Sequence, residues 1–159
     1  MAVVQARLGS SRFPGKMLAP LAGVTLIEWV LRRLSWAQRV SAVVVATSTG
    51  GIDRALVEAV QLLGTAVFRG SEHDVLERVI GAATEREADN VVRICADNPF
   101  VDGREVDRLI ECFDTGEYDY AFNHVGRLGC TYPDGLGAEI CAVETLRGLA
   151  RRSSDRRDR

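Results

Sequence analysis

Histidine, lysine and paired cysteine are what this sequence is short of. Its two histidines, His73 and His124, stand far apart without a metal-spaced neighbour, which argues against a zinc site. Four cysteines, Cys95, Cys112, Cys130 and Cys141, show no C-x-x-C spacing. Most sit in apolar contexts and read as reduced core thiols rather than a disulfide framework. No apolar run is long enough to cross a bilayer, and the start lacks the charged and then apolar pattern of a secretory leader. A cytoplasmic protein without a membrane partner is expected. Neither sign of charge is in excess: 20 basic against 22 acidic residues leave a net charge of -2 and a pI of about 5.7. Nothing in that balance calls for nucleic acid or anionic lipid. Internal repeats are absent too. With 47% hydrophobic residues, the 159-residue chain reads as one core-bearing domain over 1–150 followed by a polar tail, 151–159. That tail (RRSSDRRDR) reads as a solvated end more readily than as a nucleic-acid arm, because Asp155 and Asp158 dilute its charge.

Of the 20 basic residues only Lys16 is a lysine, and the stretch that holds it, Gln5 to Lys16 (QARLGSSRFPGK), is the most informative in the chain. Ala2, Val3, Val4 and Ala6 form the short apolar run of a buried parallel strand, after which the chain turns polar. Within twelve residues the loop offers Arg7, Arg12 and Lys16 among the small residues Gly9, Ser10, Ser11 and Gly15, which let backbone N–H groups approach an anion. A compact ammonium suits a phosphate whose charge moves, and arginine forks suit fixed contacts. The loop is not a P-loop, since five residues rather than four lie between Gly9 and Gly15 and Met17 follows Lys16. Nor is it the G-x-G-x-x-G turn of dinucleotide-binding folds.

Further along, Thr25 and Glu28 form a capping-box pair before a helix that turns Leu26, Ile27, Val30, Leu31 and Leu34 inward and Arg32 and Arg33 outward. A second apolar strand, Ala42 to Ala46, runs into a polar turn, Thr47 to Gly51, and Asp53 is placed to cap a helix through Leu63. Thr65 to Phe68 predicts a strand ending at Arg69 and Gly70. Ser71, with Asp74 three residues on, predicts a helix whose buried face is Val75, Leu76, Val79 and Ile80. Val91 to Cys95 is the next strand and delivers Ala96, Asp97, Asn98 and Pro99 at its end. A helix marked by Val106, Leu109, Ile110 and Phe113 follows, then strands at Asp119 to Asn123 and Ala138 to Ala142 and a helix opening near Glu144. Strands alternating with helices imply an α/β fold with a mostly parallel sheet covered on both faces. The loops at Arg7–Lys16, Thr47–Gly51, Gly70–Glu72 and Ala96–Pro99 then share the carboxyl rim, where such sheets bind ligands.

Four stretches, QARLGSSRFPGKML from Gln5, FRGSEHDVLER from Phe68, RICADNPFVD from Arg93 and YPDGLGAEI from Tyr132, resemble the cytidylyltransferase family of CMP-KDO and CMP-sialic acid synthetases. The likeness is nearest to the branch named for spore coat polysaccharide biosynthesis protein F. It implies a three-layer nucleotidyltransferase-type, Rossmann-like domain with a mixed, mostly parallel sheet. The implied reaction is transfer of CMP from CTP to an acidic sugar with release of pyrophosphate. By this resemblance Arg7, Arg12 and Lys16 match triphosphate-binding positions, joined by Ala6 and by backbone groups at Gly9 and Ser10. Ala46, Thr47, Gly70 and Ser71 are placed to read cytosine, with a plain helix cap as the other reading of Ser71. Asp97 matches the magnesium-binding aspartate, or it starts the turn before Pro99. Glu139, with Asp134 as the alternative, stands for a second carboxylate, although Gly137 occupies a position that is often acidic in relatives. Asn123, His124 and the Tyr132–Gly135 turn are the candidates for the sugar side. Relatives continue past the region matching SSDRRDR into a Glu-His-Val-Thr block and a dimerising segment. The chain is therefore expected to be a truncated form, either active or reduced to nucleotide binding. The rival enzyme class, a nucleotide-sugar glycosyltransferase, commonly holds metal through an Asp-x-Asp pair, which Asp97-Asn98-Pro99 lacks.

Overall fold

The computed structural model describes residues 1–123 and 136–153. Its centre is β1 (Ala2–Gln5), flanked in parallel by β4 (Val43–Ser48) and β6 (Asn90–Cys95). Burial on both faces explains the unbroken apolar run: Ala2, Val3 and Val4 are fully buried. Val3 and Val4 face opposite layers, and burying each contributes about 1.5–3 kcal/mol. Outward from β4 comes β5 (Ala66–Gly70), also parallel. On the other side β8 (Glu139–Ala142) runs antiparallel to β6, and β7 (Tyr120–Phe122) antiparallel to β8. The order is β5-β4-β1-β6-β8-β7, so the expected mixed, mostly parallel sheet is present.

Helices cover both faces. On one, α1 (Leu26–Leu34), α2 (Arg54–Leu62) and α4 (Gly103–Phe113) pack Ile27, Val30, Leu56, Val60 and Val106 against Val4 and Val45. On the other, α3 (Val75–Glu85) and α5 (Val143–Arg152) pack Val79, Ala82, Ala83 and Val143 against Val3, Val44 and Ala46. The three layers match the sequence reading. No helix among the described residues is long and apolar enough to cross a membrane.

Several local expectations change. β4 continues through Thr47 and Ser48, because pairing with β5 extends to Ser48 opposite Gly70, so the turn begins at Thr49. Helix α3 starts at Val75: Asp74 is its cap, accepting from the Glu77 N–H at 2.8 Å, while the Ser71 hydroxyl oxygen accepts from the N–H groups of His73 and Asp74 in the preceding turn. The Thr25 side chain does cap α1, but Glu28 turns to Arg32 rather than back to Thr25, leaving half a capping box. Arg33 does not point outward. Its guanidinium donates to the Val101 carbonyl at 2.7 Å and pairs with Asp102, pinning the turn before α4. A two-stranded hairpin not foreseen in the sequence, β2 (Pro20–Leu21) with β3 (Val24–Thr25), turns through Ala22 and Gly23, both at positive φ. Of the expected core thiols, Cys141 is buried, Cys95 is half-buried and Cys112 is exposed; Cys130 lies outside the described residues. Arg151 and Arg152 belong to α5 rather than to a tail.

A methyl group on Gly103 would sit 2.8 Å from the carbonyl carbon of Trp36 and 3.1 Å from the Cα of Ala37. Backbone cannot swing aside as a side chain would. Gly103→Ala is expected to lower stability by about 1–3 kcal/mol, read as a fall in the urea midpoint at unchanged slope.

Candidate active site

The loop after β1 is closed on itself. The Leu8 carbonyl accepts from the N–H groups of Ser10 at 2.8 Å and Gly15 at 3.0 Å, so residues 9–14 leave and return at one point. Gly15 closes that circuit at φ 74°, a left-handed conformation a Cβ would strain. Buried Leu8 and Met17 anchor the two ends in the core. This folding gathers Arg7, Arg12 and Lys16 around one cavity of about 230 Å³, together with Ser10 and Asp97. A second cavity of about 450 Å³ shares Ser10, Arg12, Lys16 and Asp97 and has Phe13 and Leu21 in its apolar wall. The Ser10 N–H, expected as a phosphate donor, is committed to the Leu8 carbonyl in this conformation.

Asp97 follows β6, adjacent to β1, and its Oδ2 accepts from Lys16 Nζ at 2.8 Å. The hydrogen bond from Lys16 holds the Asp97 carboxyl below the usual carboxylate range, and the charges of Lys16 and Arg12 add to that. Asp97 also bonds its own backbone, as a residue that starts a turn does. Lys16 and Asp97, 81 residues apart in sequence, are thus joined directly, and Arg7 and Arg12 line the same cavity.

The base-side candidates lie one and two strands away. Ala46 and Thr47 are buried in β4, and the Thr47 hydroxyl has no hydrogen-bond partner among the described residues. As a fully buried strand residue, Thr47 does not present its side chain to a ligand in this conformation. Gly70 ends β5 and its carbonyl accepts from the Thr49 N–H at 2.9 Å, with Ser71 in the turn beyond. The sequence reading missed Arg69, which donates to the carbonyls of Ser48 and Gly50, each at 3.1 Å, and so fixes the turn after β4.

Asp53 proves to be no helix cap. It is buried, one oxygen accepting from the Leu8 N–H at 2.7 Å, the other from the hydroxyl and the N–H of Ser48. A carboxylate accepting this many bonds joins the phosphate loop to the end of β4 across 45 residues. Arg78, in the first turn of α3, is also fully buried; its Nη1 donates to the Ser71 carbonyl at 2.6 Å. Both residues were legible as charged, but nothing in their spacing marks them as buried.

Glu139 is not brought to Asp97. Its carboxylate pairs with Arg93 at 2.7 Å and lines a separate, mainly apolar cavity of about 430 Å³ with Val79 and Leu146. Burial, with Glu139 adding to it, pushes the nearby Tyr120 hydroxyl up to about 12. Among the described residues no group of three or more His, Cys, Asp or Glu side chains converges as a preformed metal cage. Asn123 spends both ends of its amide inside the fold, donating to the Glu105 carbonyl at 3.1 Å and accepting from the Ala138 N–H at 2.8 Å. It is a staple rather than a free sugar contact. His124, Tyr132–Gly135 and Asp134 lie outside the described residues.

Because the folded pKa of Asp97 is depressed, its pair with Lys16 stabilises the fold above the unfolded carboxylate value and is lost as pH falls through the folded one. The stability gap between the protein and Asp97→Asn is therefore expected to shrink toward pH 3. Its size at pH 7 should stay within about 1 kcal/mol, as the pair is solvent-screened. Asp53→Ala strips acceptors from Leu8 and Ser48 and is expected to cost about 1–3 kcal/mol per donor left bare, measured by urea unfolding at pH 7.

Comparison with known proteins shows the family and the fold. Residues 1–132 match the family described as cytidylyltransferase. The spore coat polysaccharide biosynthesis protein SpsF of Bacillus subtilis is 35% identical over 155 residues, covering 94% of this chain and 61% of that protein. A 3-deoxy-manno-octulosonate cytidylyltransferase of Trichlorobacter lovleyi is 35% identical over 115 residues, covering 71% of this chain and 44% of that one. The chain thus spans about half to three fifths of these relatives. A solved cytidylyltransferase from Leptospira borgpetersenii superposes with a TM-score of 0.91 at 29% identity, covering 99% of this chain and 66% of that structure. With a family match over most of its length, this chain belongs to the cytidylyltransferase family.

Proposed function

We propose that this chain carries the nucleotide-binding part of an enzyme that transfers CMP from CTP to an acidic sugar of the KDO or sialic acid type, with loss of pyrophosphate, in surface polysaccharide synthesis. One observation supports the reading above others: Arg7, Arg12, Lys16 and Asp97 line a single cavity at the carboxyl ends of β1 and β6. Three cations match a triphosphate, and a lone half-exposed carboxylate beside them suits a hard divalent cation. The names of the relatives, a KDO cytidylyltransferase among them, favour the acidic sugar.

Displacement at the α-phosphorus needs an in-line acceptor oxygen and a leaving pyrophosphate whose charge is neutralised. Arg7 and Arg12 would hold the phosphates, and Lys16, on its flexible stem, would follow the charge onto the leaving group. In the structure Lys16 is held by Asp97. An entering triphosphate would compete for that ammonium and free the Asp97 carboxylate. Magnesium would be held by Asp97, waters and phosphate oxygens, and would supply charge neutralisation at the phosphates. One carboxylate is sufficient for that mode of binding, so the residues present fit the ion without Glu139.

Thermal unfolding with CTP, UTP, ATP and GTP, with and without magnesium, tests the binding step. CTP with magnesium should give the largest shift, since a ligand at a hundred times its Kd adds about 2.7 kcal/mol. Lys16→Ala and Asp97→Asn should each cut pyrophosphate release about 100-fold or more at near-normal stability. Near-normal rates in both variants would sink the catalytic assignment, and CTP binding without any pyrophosphate release would reduce the chain to a nucleotide-binding module.

A further inference from the structure

Burying a carboxylate is unfavourable unless its oxygens are well bonded, and Asp53 is only 1% exposed. Its partners are not a cation but two backbone N–H groups and one hydroxyl. The Leu8 N–H donates to one oxygen at 2.7 Å, and the N–H and hydroxyl of Ser48 donate to the other. Packing alone does not call for a charge in this segment, since its neighbouring buried positions, Leu56 and Val60, are apolar.

The partner on the first oxygen is the pivot of the phosphate loop. The Leu8 carbonyl accepts from the Ser10 and Gly15 N–H groups and closes the loop, and the N–H of the same residue is the one that Asp53 holds. Two residues earlier the Ala6 N–H donates to the Ala46 carbonyl at 3.1 Å. Exposed Arg7 is therefore bracketed by buried Ala6 and Leu8, one tied to β4 and the other to the turn that leads from β4 into α2. Both peptide groups of Leu8 are fixed in this way. With them are fixed the points from which Arg7 and Arg12 reach into the cavity they share with Lys16.

We infer that Asp53 is a positioning residue for polyphosphate binding: through the Leu8 N–H it holds the phosphate loop in the orientation in which Arg7, Arg12 and Lys16 converge. Asp53 is buried behind the loop and does not itself touch the ligand. The inference rests on the reading above in which this loop takes a triphosphate. A carboxylate is required because both of its oxygens accept. An amide offers one acceptor and one donor, so asparagine satisfies the Leu8 N–H or the Ser48 N–H and turns a donor toward the other. Charge alone predicts the opposite effect. Removing a negative group bonded to the loop strengthens the pull of the loop's cations on an anion, so weaker binding in Asp53→Asn reports placement and not field.

The test is calorimetric titration of inorganic triphosphate, with magnesium, into the unaltered chain and into Asp53→Asn, Asp53→Glu, Ser48→Ala and Val60→Ala, each at a temperature where it is folded. Asp53→Asn should bind triphosphate about tenfold or more weakly. Asp53→Glu keeps the charge but displaces both oxygens by one carbon. It should also bind about tenfold or more weakly, and it serves if Asp53→Asn does not fold. Ser48→Ala removes a donor from the far oxygen and leaves the Leu8 bond, and Val60→Ala loosens α2; both should stay within about threefold of the unaltered chain. Unchanged or stronger binding in Asp53→Asn, or in Asp53→Glu where only that variant folds, overturns the inference. An equal loss in Ser48→Ala or Val60→Ala overturns it as well, because the effect is then one of general loosening. So does failure of both Asp53 variants to fold, which makes the residue one of stability alone. If the unaltered chain binds no triphosphate, the reading of the loop as a phosphate site fails and this inference with it, an outcome distinct from the others.

Discussion

Three positive charges within one short loop repel one another, and much of the structure around β1 is arranged to tolerate that. Arg7, Arg12 and Lys16 surround a cavity that places them against Asp97 on one side and, through Arg7, against buried Arg78 on the other. Asp97 takes up part of the charge through Lys16. The loop is held in place by neutral and buried contacts: the doubly used Leu8 carbonyl, the left-handed Gly15, and Asp53 gripping the Leu8 N–H. A loop tied this firmly does not relax to separate its charges, so the cluster stays available to a polyanion.

That economy extends to the neighbouring strands. Asp53 binds Ser48 as well as Leu8, Arg69 binds Ser48 and Gly50, and Arg78 binds Ser71. The ends of β1, β4 and β5 thereby form one rigid rim rather than three loops that happen to be near each other. Charged side chains spent on backbone groups would be an odd investment for packing, because apolar residues fill the layers beneath. They hold the loop after β1 and the turns after β4 and β5 at a constant separation.

Much of the architecture was readable in advance because its signals are local. Continuous apolar runs announced β1, β4 and β6, and three-and-four spacing announced the inward faces of α1 and α4; on α3 only Val79 of the expected face is buried, with Arg78, Ala82 and Ala83 in place of Leu76 and Ile80. The nearness of Lys16 to Asp97 agrees with their expected placement past the ends of neighbouring strands. Errors clustered where a residue serves a distant partner. Asp53 looked like a cap and turned out to grip Leu8; Arg33 looked solvent-facing and pins Val101; Asn123 looked like a ligand contact and joins Glu105 to Ala138. Glu139 resembled a second metal carboxylate and instead neutralises Arg93 on the adjacent strand.

The order of elements, the layering and the identity of the charged loop were determined by the sequence itself, since hydrophobic period and turn chemistry act over a few residues. Which charge faces which was decided only by the tertiary structure. Lys16 meets Asp97, Asp53 meets Leu8 and Arg78 lies beneath Gly70 because strand order brings β6, β4 and β5 beside β1, and register then sets the contacts. Hydrogen bonds and ion pairs act over a few ångströms, so only a chain folded to that register reveals which side chains they join.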